Sequence, residues 1–304
     1  MEFRQLATFR MVAETLSFSR TAQALNYVQS SVTAQIQSLE EELGVRLFDR
    51  LGKRVALTDA GTRLLPYAEK LLSLSDEARC VVTGGDAPVG TLTITAPESI
   101  CTYCLPEVLS QFRQRFPQVK LLFRPNSFLD IRRVVSEGEV DVAFIIEEFM
   151  HSNALKVEAL TPAPLHLLVS PDHHLARCGQ VRTSDLEGEQ FLLTEAGCAY
   201  RNALERTLNA AGVHISTNLA FDSVEAIKQC AIAAMGIAFL PAMTVARELE
   251  SGSLVALNWE NQQFGAVIQM LWHKDKWLSP ALQAFLAVAR DVLRPQESLL
   301  PLTH

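Results

Sequence analysis

The chain has 304 residues, is 48% hydrophobic and 20% charged, and carries a formal net charge of −7, which describes a globular protein long enough for about two domains. Its most apolar runs, AFIIEEF and LHLLVSP, are too short for a membrane span, and MEFRQLATFR lacks the basic region and apolar core of a signal peptide. The expected location is therefore the cytoplasm, with no membrane partner and with the six cysteines reduced.

In chain order, Phe3, Leu6, Phe9 and Val12 recur at helical spacing and predict a first amphipathic helix over Phe3 to Thr15. Two short helical patterns follow in residues 17–43. Phe18, Ala22 and Leu25 mark the first, with Ala22 and Ala24 allowing a close crossing; Val32, Ile36, Leu39 and Leu43 mark the second, and the pair reads as a helix-turn-helix. Opposite the second apolar stripe lie Ser30, Ala34 and Gln37, with Gln29, Ser31 and Thr33 beside them. Small, hydroxyl and amide side chains on an exposed face suit base edges in a major groove, where Gln can bond adenine in two places.

Next, GVRLFDRLGKRVALTDAG crowds Arg46, Arg50, Lys53 and Arg54 around a Leu51-Gly52 turn, a cationic hairpin suited to a phosphate backbone. The acidic surplus belongs mostly to the remainder, so DNA binding should be salt-dependent. Thr58 reads as the N-cap of a long helix with Leu64, Tyr67 or Ala68, Leu71, Leu74 and Ala78 as its stripe, bent or delayed by Pro66. So small a domain offers that stripe no obvious partner. Packing on its own copy would make a dimer that reads an interrupted palindrome.

Residues 3–61, from FRQLATF to LTDAG, resemble the winged helix-turn-helix of the LysR-type transcriptional regulators over their whole length, the apolar spacing and the LEEELGVRLFDR and LTDAG blocks all coinciding. The resemblance continues, more weakly, to the C-terminus. Where the family often has Ser and Arg, this chain has Thr33 and Ala34, so a cationic contact is missing and operator preference does not transfer. The resemblance implies a winged helix over 1–58, a dimerisation helix and hinge over 59–88, and an effector-binding domain over 89–304. It also implies a homodimer assembling to a homotetramer, contact with RNA polymerase, and nucleoid association when bound to DNA in a bacterial cytoplasm.

From Gly90 onward strands alternate with helices: GTLTITA, a helix from Leu105, KLLFRP, a helix from Leu129, VDVAFII, FLLT, a helix from Tyr200, NLAF, a helix from Ser223, and GIAFLP. This is a mixed α/β pattern whose strands are too apolar for a one-sided sheet. The resemblance implies two lobes, similar to periplasmic binding proteins: lobe I over 89–160 and 266–304, lobe II over 161–265. Ligands of open α/β sheets bind beyond the strand carboxyl ends, which selects Ser99, Ile100, Cys101, Ser127, Phe128, Glu147, Cys198, Tyr200, Arg201 and Asp222 as effector-binding candidates. Ser99, Ser127, Cys198 and Tyr200 are similar in position to the effector contacts of the family. The expected effector is a small organic acid or amino-acid-like molecule. Each candidate also has a plainer reading, Ser99 and Ser223 as N-caps and Arg201 as a partner of Glu205.

Two rival functions use the same fold. CTYC (Cys101, Cys104) with Cys198 would make a thiol-redox or metal-responsive switch, although the peroxide-sensing branch of the family pairs two cysteines in one loop and here Cys230 is distant from Cys198. A solute-binding protein without regulatory role fits only the C-terminal two thirds. No nucleophile elbow, phosphate loop or dinucleotide fingerprint appears, and His166, His173, His174 and His214 show no metal-ligand spacing, so neither an enzyme, a cofactor nor a metal is expected.

Overall fold

A computed structural model describes the chain except residues 52–53, 84–87, 125–130, 262–263 and 295–304, and except the side chains at 50, 51, 54, 73, 76, 77, 79–83 and 216–218. Two compact units result, residues 1–91 and 92–304. No described helix is long and apolar enough to cross a membrane.

The first unit holds α1 (Phe3–Thr15), α2 (Phe18–Ala24), α3 (Gln29–Leu43), the antiparallel hairpin of β1 (Phe48–Leu51) and β2 (Arg54–Leu57), and α4 (Asp59–Thr83). Its core joins Leu6, Phe9 and Val12 to Phe18, Ala22, Val32, Ile36 and Leu39, closed by Leu47 and Phe48. Phe48 lies 5.4 Å from the Phe9 ring and 6.0 Å from the Phe18 ring, so the wing is packed into the helical core. Two expected core positions are instead exposed: Phe3 and Leu43. Each lies in the end turn of its helix, where the stripe outruns the neighbouring helix that would cover it.

Thr58 does cap α4, its hydroxyl accepting the Gly61 N–H at 3.0 Å. The helix starts at Asp59 and continues through Pro66, which does not delay it. Gly61 is needed for a steric reason: a methyl group there would meet the Leu47 carbonyl oxygen at 2.2 Å. The stripe of α4 has a partner in its own chain, contrary to expectation. Ala68 and Leu72 are buried in the head core and Leu64, Leu65 and Leu71 pack against it, whereas Tyr67, Leu74 and Ala78 remain exposed. The 13 residues of α1 cover only about half the length of the 25-residue α4.

The second unit runs β3 (Gly90–Thr95), α5 (Glu98–Tyr103), α6 (Leu105–Arg115), β4 (Val119–Phe123), α7 (Ile131–Ser136), β5 (Val142–Glu148), β6 (Leu155–Pro162), β7 (Leu165–Val169), β8 (Gln190–Thr194), α8 (Ala199–Ala210), β9 (Ser216–Phe221), α9 (Val224–Ile232), β10 (Ile237–Pro241), α10 (Ala246–Ser251), β11 (Val255–Ala256), β12 (Ala266–His273) and α11 (Pro280–Leu293). One sheet has the order β4-β3-β5-β12-β6, with β3 parallel to β5 and β12 antiparallel to both its neighbours. The other has the order β11-β7-β10-β8-β9, with β8, β9 and β10 parallel and β7 antiparallel to β10.

The chain passes between the sheets at Ala163 and returns before Ala266, and these two crossings are tied by the Ala163 N–H donating to the Ala266 carbonyl at 2.8 Å. The hydrophobic pattern pointed to β3, β4, β5, β8, β9 and β10. It did not single out β6, β7, β11, β12 or α11, yet β12 lies inside the first sheet and α11 seats Phe285 against Phe112 at 5.2 Å.

Candidate functional site

On the first unit, α3 turns its polar face outward. Gln29, Ser30, Ala34 and Gln37 are exposed, Ser31 and Thr33 are half-buried, and Val32, Ile36 and Leu39 are buried behind them. Two side-chain bonds to α1 hold this face in place: Thr8 donates to Gln35 Oε1 at 2.7 Å and Gln5 donates to Ser38 Oγ at 3.1 Å. The turn before α3 puts Asn26 at φ 54°, a left-handed conformation that Asn tolerates better than most residues.

The wing is held from the other end of α3. Glu40 Oε1 accepts the N–H of Leu47 at 2.7 Å and of Phe48 at 3.2 Å, so one carboxylate satisfies two backbone donors and sets where the hairpin leaves the helix. Arg46 is exposed at the base. Arg50 and Arg54 lie in the two hairpin strands, on either side of the turn; Lys53 and the side chains of Arg50 and Arg54 lie outside the described residues.

In the second unit a cavity of about 460 Å³ opens between the two sheets. From the first sheet and α7 come Arg132, Ile145, Glu147, Glu148 and Phe149; from α8 and its approach come Gly197, Tyr200, Asn202 and Arg206, with Phe264 at the crossing. Arg132 donates to both Glu147 oxygens, at 2.6 and 2.5 Å, so the Glu147 carboxylate already has a cationic partner.

The remaining candidates divide. Tyr200 lines the cavity and is almost fully buried. Ile100 is core, and Cys198 is wholly buried. Ser99 is no cap, since Pro97 holds that place in α5; its buried hydroxyl has no hydrogen-bond partner among the described residues. Cys101 is half-buried, its thiol 3.5 Å from the Ala96 carbonyl oxygen. Arg201 does pair with Glu205, at 2.7 Å, and also donates to the Thr194 carbonyl at 2.6 Å. Ser223 does cap α9. Asp222 is exposed in the turn before α9 and does not line the cavity. Ser127 and Phe128 lie outside the described residues.

Close to these groups α5 touches the second lobe, a connection that sequence reasoning did not detect. Glu98 Oε2 accepts the Val224 N–H at 3.2 Å. Buried Lys228 donates to the Tyr103 hydroxyl at 3.2 Å and to the Thr244 carbonyl at 3.1 Å, and pairs with Glu225 at 2.9 Å and Glu248 at 2.8 Å. Burial alone would push its amine down, but the two carboxylates and Tyr103 outweigh that and hold it above its usual range. A lone Lys in an amphipathic helix carries no signal of such partners.

The thiols of Cys101, Cys104 and Cys198 are not activated. Burial pushes Cys104 up to about 11, and raises Cys101, with Glu98 adding to it, and Cys198. Cys104 meets Met243 Sδ at 3.1 Å.

Residues 3–62 match the family model for bacterial regulatory helix-turn-helix proteins of the lysR family, and residues 85–294 match the model for the LysR substrate binding domain. The chain is 43% identical to the uncharacterized HTH-type transcriptional regulator YwqM of Bacillus subtilis over 97% of this chain and 100% of that one. Among solved structures it is similar in fold to a full-length OxyR variant from Pseudomonas aeruginosa, with a TM-score of 0.72 at 22% identity over 98% and 96% of the two chains. It is also similar to full-length CbnR complexed with its target DNA, with a TM-score of 0.68 at 22% identity over 96% and 100%. With a reading helix and wing in one unit and a two-lobed cavity domain in the other, the chain belongs to the LysR family, as a DNA-binding transcriptional regulator with a substrate-binding domain.

Proposed function

We propose that this regulator reads an interrupted palindrome as a dimer, and that a small organic acid or amino-acid-like effector in the interlobe cavity alters its operator binding and its contact with RNA polymerase. The observation that carries the effector reading is the cavity itself. Its volume suits a metabolite, and its lining combines apolar Ile145, Phe149 and Phe264 with the cations Arg132 and Arg206 and the anions Glu147 and Glu148. Balanced charge favours a molecule with both an anionic and a cationic or hydrogen-bonding end.

Gln29, Ser30, Ser31, Thr33, Ala34 and Gln37 would meet bases, while Arg50, Lys53 and Arg54 would meet phosphates. Exposed Tyr67 and Leu74 on α4 supply an apolar strip for the second subunit, and two such dimers would make the tetramer. A thiol-redox trigger is disfavoured, because the raised thiols of Cys101, Cys104 and Cys198 oppose the thiolate that such chemistry needs.

The test is a metabolite panel scored by melting temperature and by DNase footprint on an operator selected from random DNA. At least one small organic acid or amino acid should raise the melting temperature and change the footprint. Arg206→Ala should weaken that response without changing operator binding in the absence of ligand. A panel that moves neither readout would remove the effector reading.

A further inference from the structure

His173 and His174 follow β7 in a turn, and sequence spacing offers them no third ligand. The fold supplies one in Glu189, the residue before β8. His173 Nε2 lies 3.4 Å from Glu189 Oε2 and His174 Nε2 lies 3.1 Å from Glu189 Oε1. One donor atom from each residue falls within 4.8 Å of the other two. The imidazoles are stacked, with centroids 4.6 Å apart and 27° between planes, so both present Nε2 to one carboxylate. The His173 and Glu189 side chains are mostly covered, at 13% and 20% exposure, while His174 at 67% is free to turn.

We propose that His173, His174 and Glu189 form a binding site for one divalent transition-metal ion of the zinc class, at the end of lobe II remote from the effector cavity. The separation follows from strand direction. Because β7 is antiparallel to β10 and β10 is parallel to β8, the end of β7 and the start of β8 share one edge of the sheet, whereas Gly197 and Tyr200 of the cavity follow the opposite, carboxyl end of β8.

Two imidazoles and a carboxylate are a known zinc donor set, and bonds of about 2.0–2.2 Å in a tetrahedral arrangement place neighbouring donors about 3.4 Å apart. One Glu189 oxygen stands at that separation from His173 Nε2 and the other, at 3.1 Å, slightly nearer to His174 Nε2, and water would complete the shell.

Binding has a structural consequence. Without metal, His173 Nδ1 accepts the Leu175 N–H at 3.3 Å, which leaves the ring proton on Nε2, directed at Glu189. A metal on Nε2 displaces that proton to Nδ1, and the Leu175 amide loses its acceptor.

The experiment is titration of chelator-stripped full-length protein with ZnCl₂, NiCl₂ and MgCl₂ by calorimetry, with the Leu175 amide followed by hydrogen exchange. The expected result is one zinc or nickel ion per chain, no magnesium binding, and faster exchange at Leu175. His174→Gln and Glu189→Gln should each weaken zinc by at least about tenfold, and His174→Gln, at an exposed side chain, should keep the metal-free melting temperature near wild type. Cys178→Ser, which removes an exposed thiol 3.9 Å from the His174 carbonyl oxygen, and His214→Gln should bind as wild type. Absence of saturable zinc binding would overturn the proposal, and so would zinc binding that survives His174→Gln with Glu189→Gln or is lost in Cys178→Ser.

Discussion

The reading head and the ligand lobes are held together by different chemistry. In the head, the residues that position α3 are apolar and close in sequence: Phe9, Val12, Phe18, Val32, Ile36 and Phe48 meet within 40 positions. In the lobes, α5 is tied to the second sheet by charged and polar groups far apart in the chain, with Tyr103 bonded to Lys228 across 125 residues and Glu98 to Val224 across 126. A hydrophobic core is non-directional and tolerant, so the head presents one fixed surface. Hydrogen-bonded ion pairs are directional and costly to leave half made, which suits a contact that changes when a ligand arrives.

Removing one charge from the lobe contact should have the largest effect. Lys228→Ala leaves Glu248 and the Thr244 carbonyl without their donor in a buried setting, and a loss of about 3–5 kcal/mol is expected in urea unfolding of the second unit. A loss below about 1 kcal/mol would mean that the pair behaves as a surface bridge and that the contrast drawn above is wrong. The matching test in the head is Gly61→Ala. Its methyl would clash with the Leu47 carbonyl, so a loss of about 1–3 kcal/mol and weaker DNA binding are expected, without change in ligand binding.

Smaller effects sharpen the comparison. Arg54→Ala should weaken all operator variants alike and lower the salt slope of binding by about 1; selective loss at one variant would instead make Arg54 a base reader. In the lobes, bonding to Arg290, against the opposing effect of burial, and the added charge of Arg294 hold the Glu158 carboxyl below the usual carboxylate range. Its contribution is therefore complete above the ordinary Glu value of about 4.3 and is lost as pH falls through the lower folded value. Glu158→Gln should flatten the acid limb of a melting-temperature profile between those two values and leave neutral and alkaline behaviour parallel to wild type.

The head was more legible than the cleft for a physical reason. Helical periodicity records burial within one element, so Val32, Ile36 and Leu39 announced the hidden side of α3 and thereby its exposed side. Periodicity fails at element ends, which is why Phe3 and Leu43 are exposed although they continue their stripes. Strand-end reasoning located Tyr200 and Glu147, which line the cavity, but it had no means to supply Arg132, Arg206 or Phe264, because those residues reach the cavity only through the packing of α7, α8 and the crossing segment.

Residue order alone determined the head: the helix-turn-helix, the cationic wing, the capped helix at Thr58 and the alternation of strands and helices beyond Gly90, since each depends on neighbours within a few turns. Only the tertiary structure decided which distant groups meet. Sheet order brings Glu189 to His173 and His174, and the approach of the lobes brings Lys228 to Tyr103, because a side chain's nonlocal partners depend on how whole elements pack and not on the spacing of its neighbours along the chain.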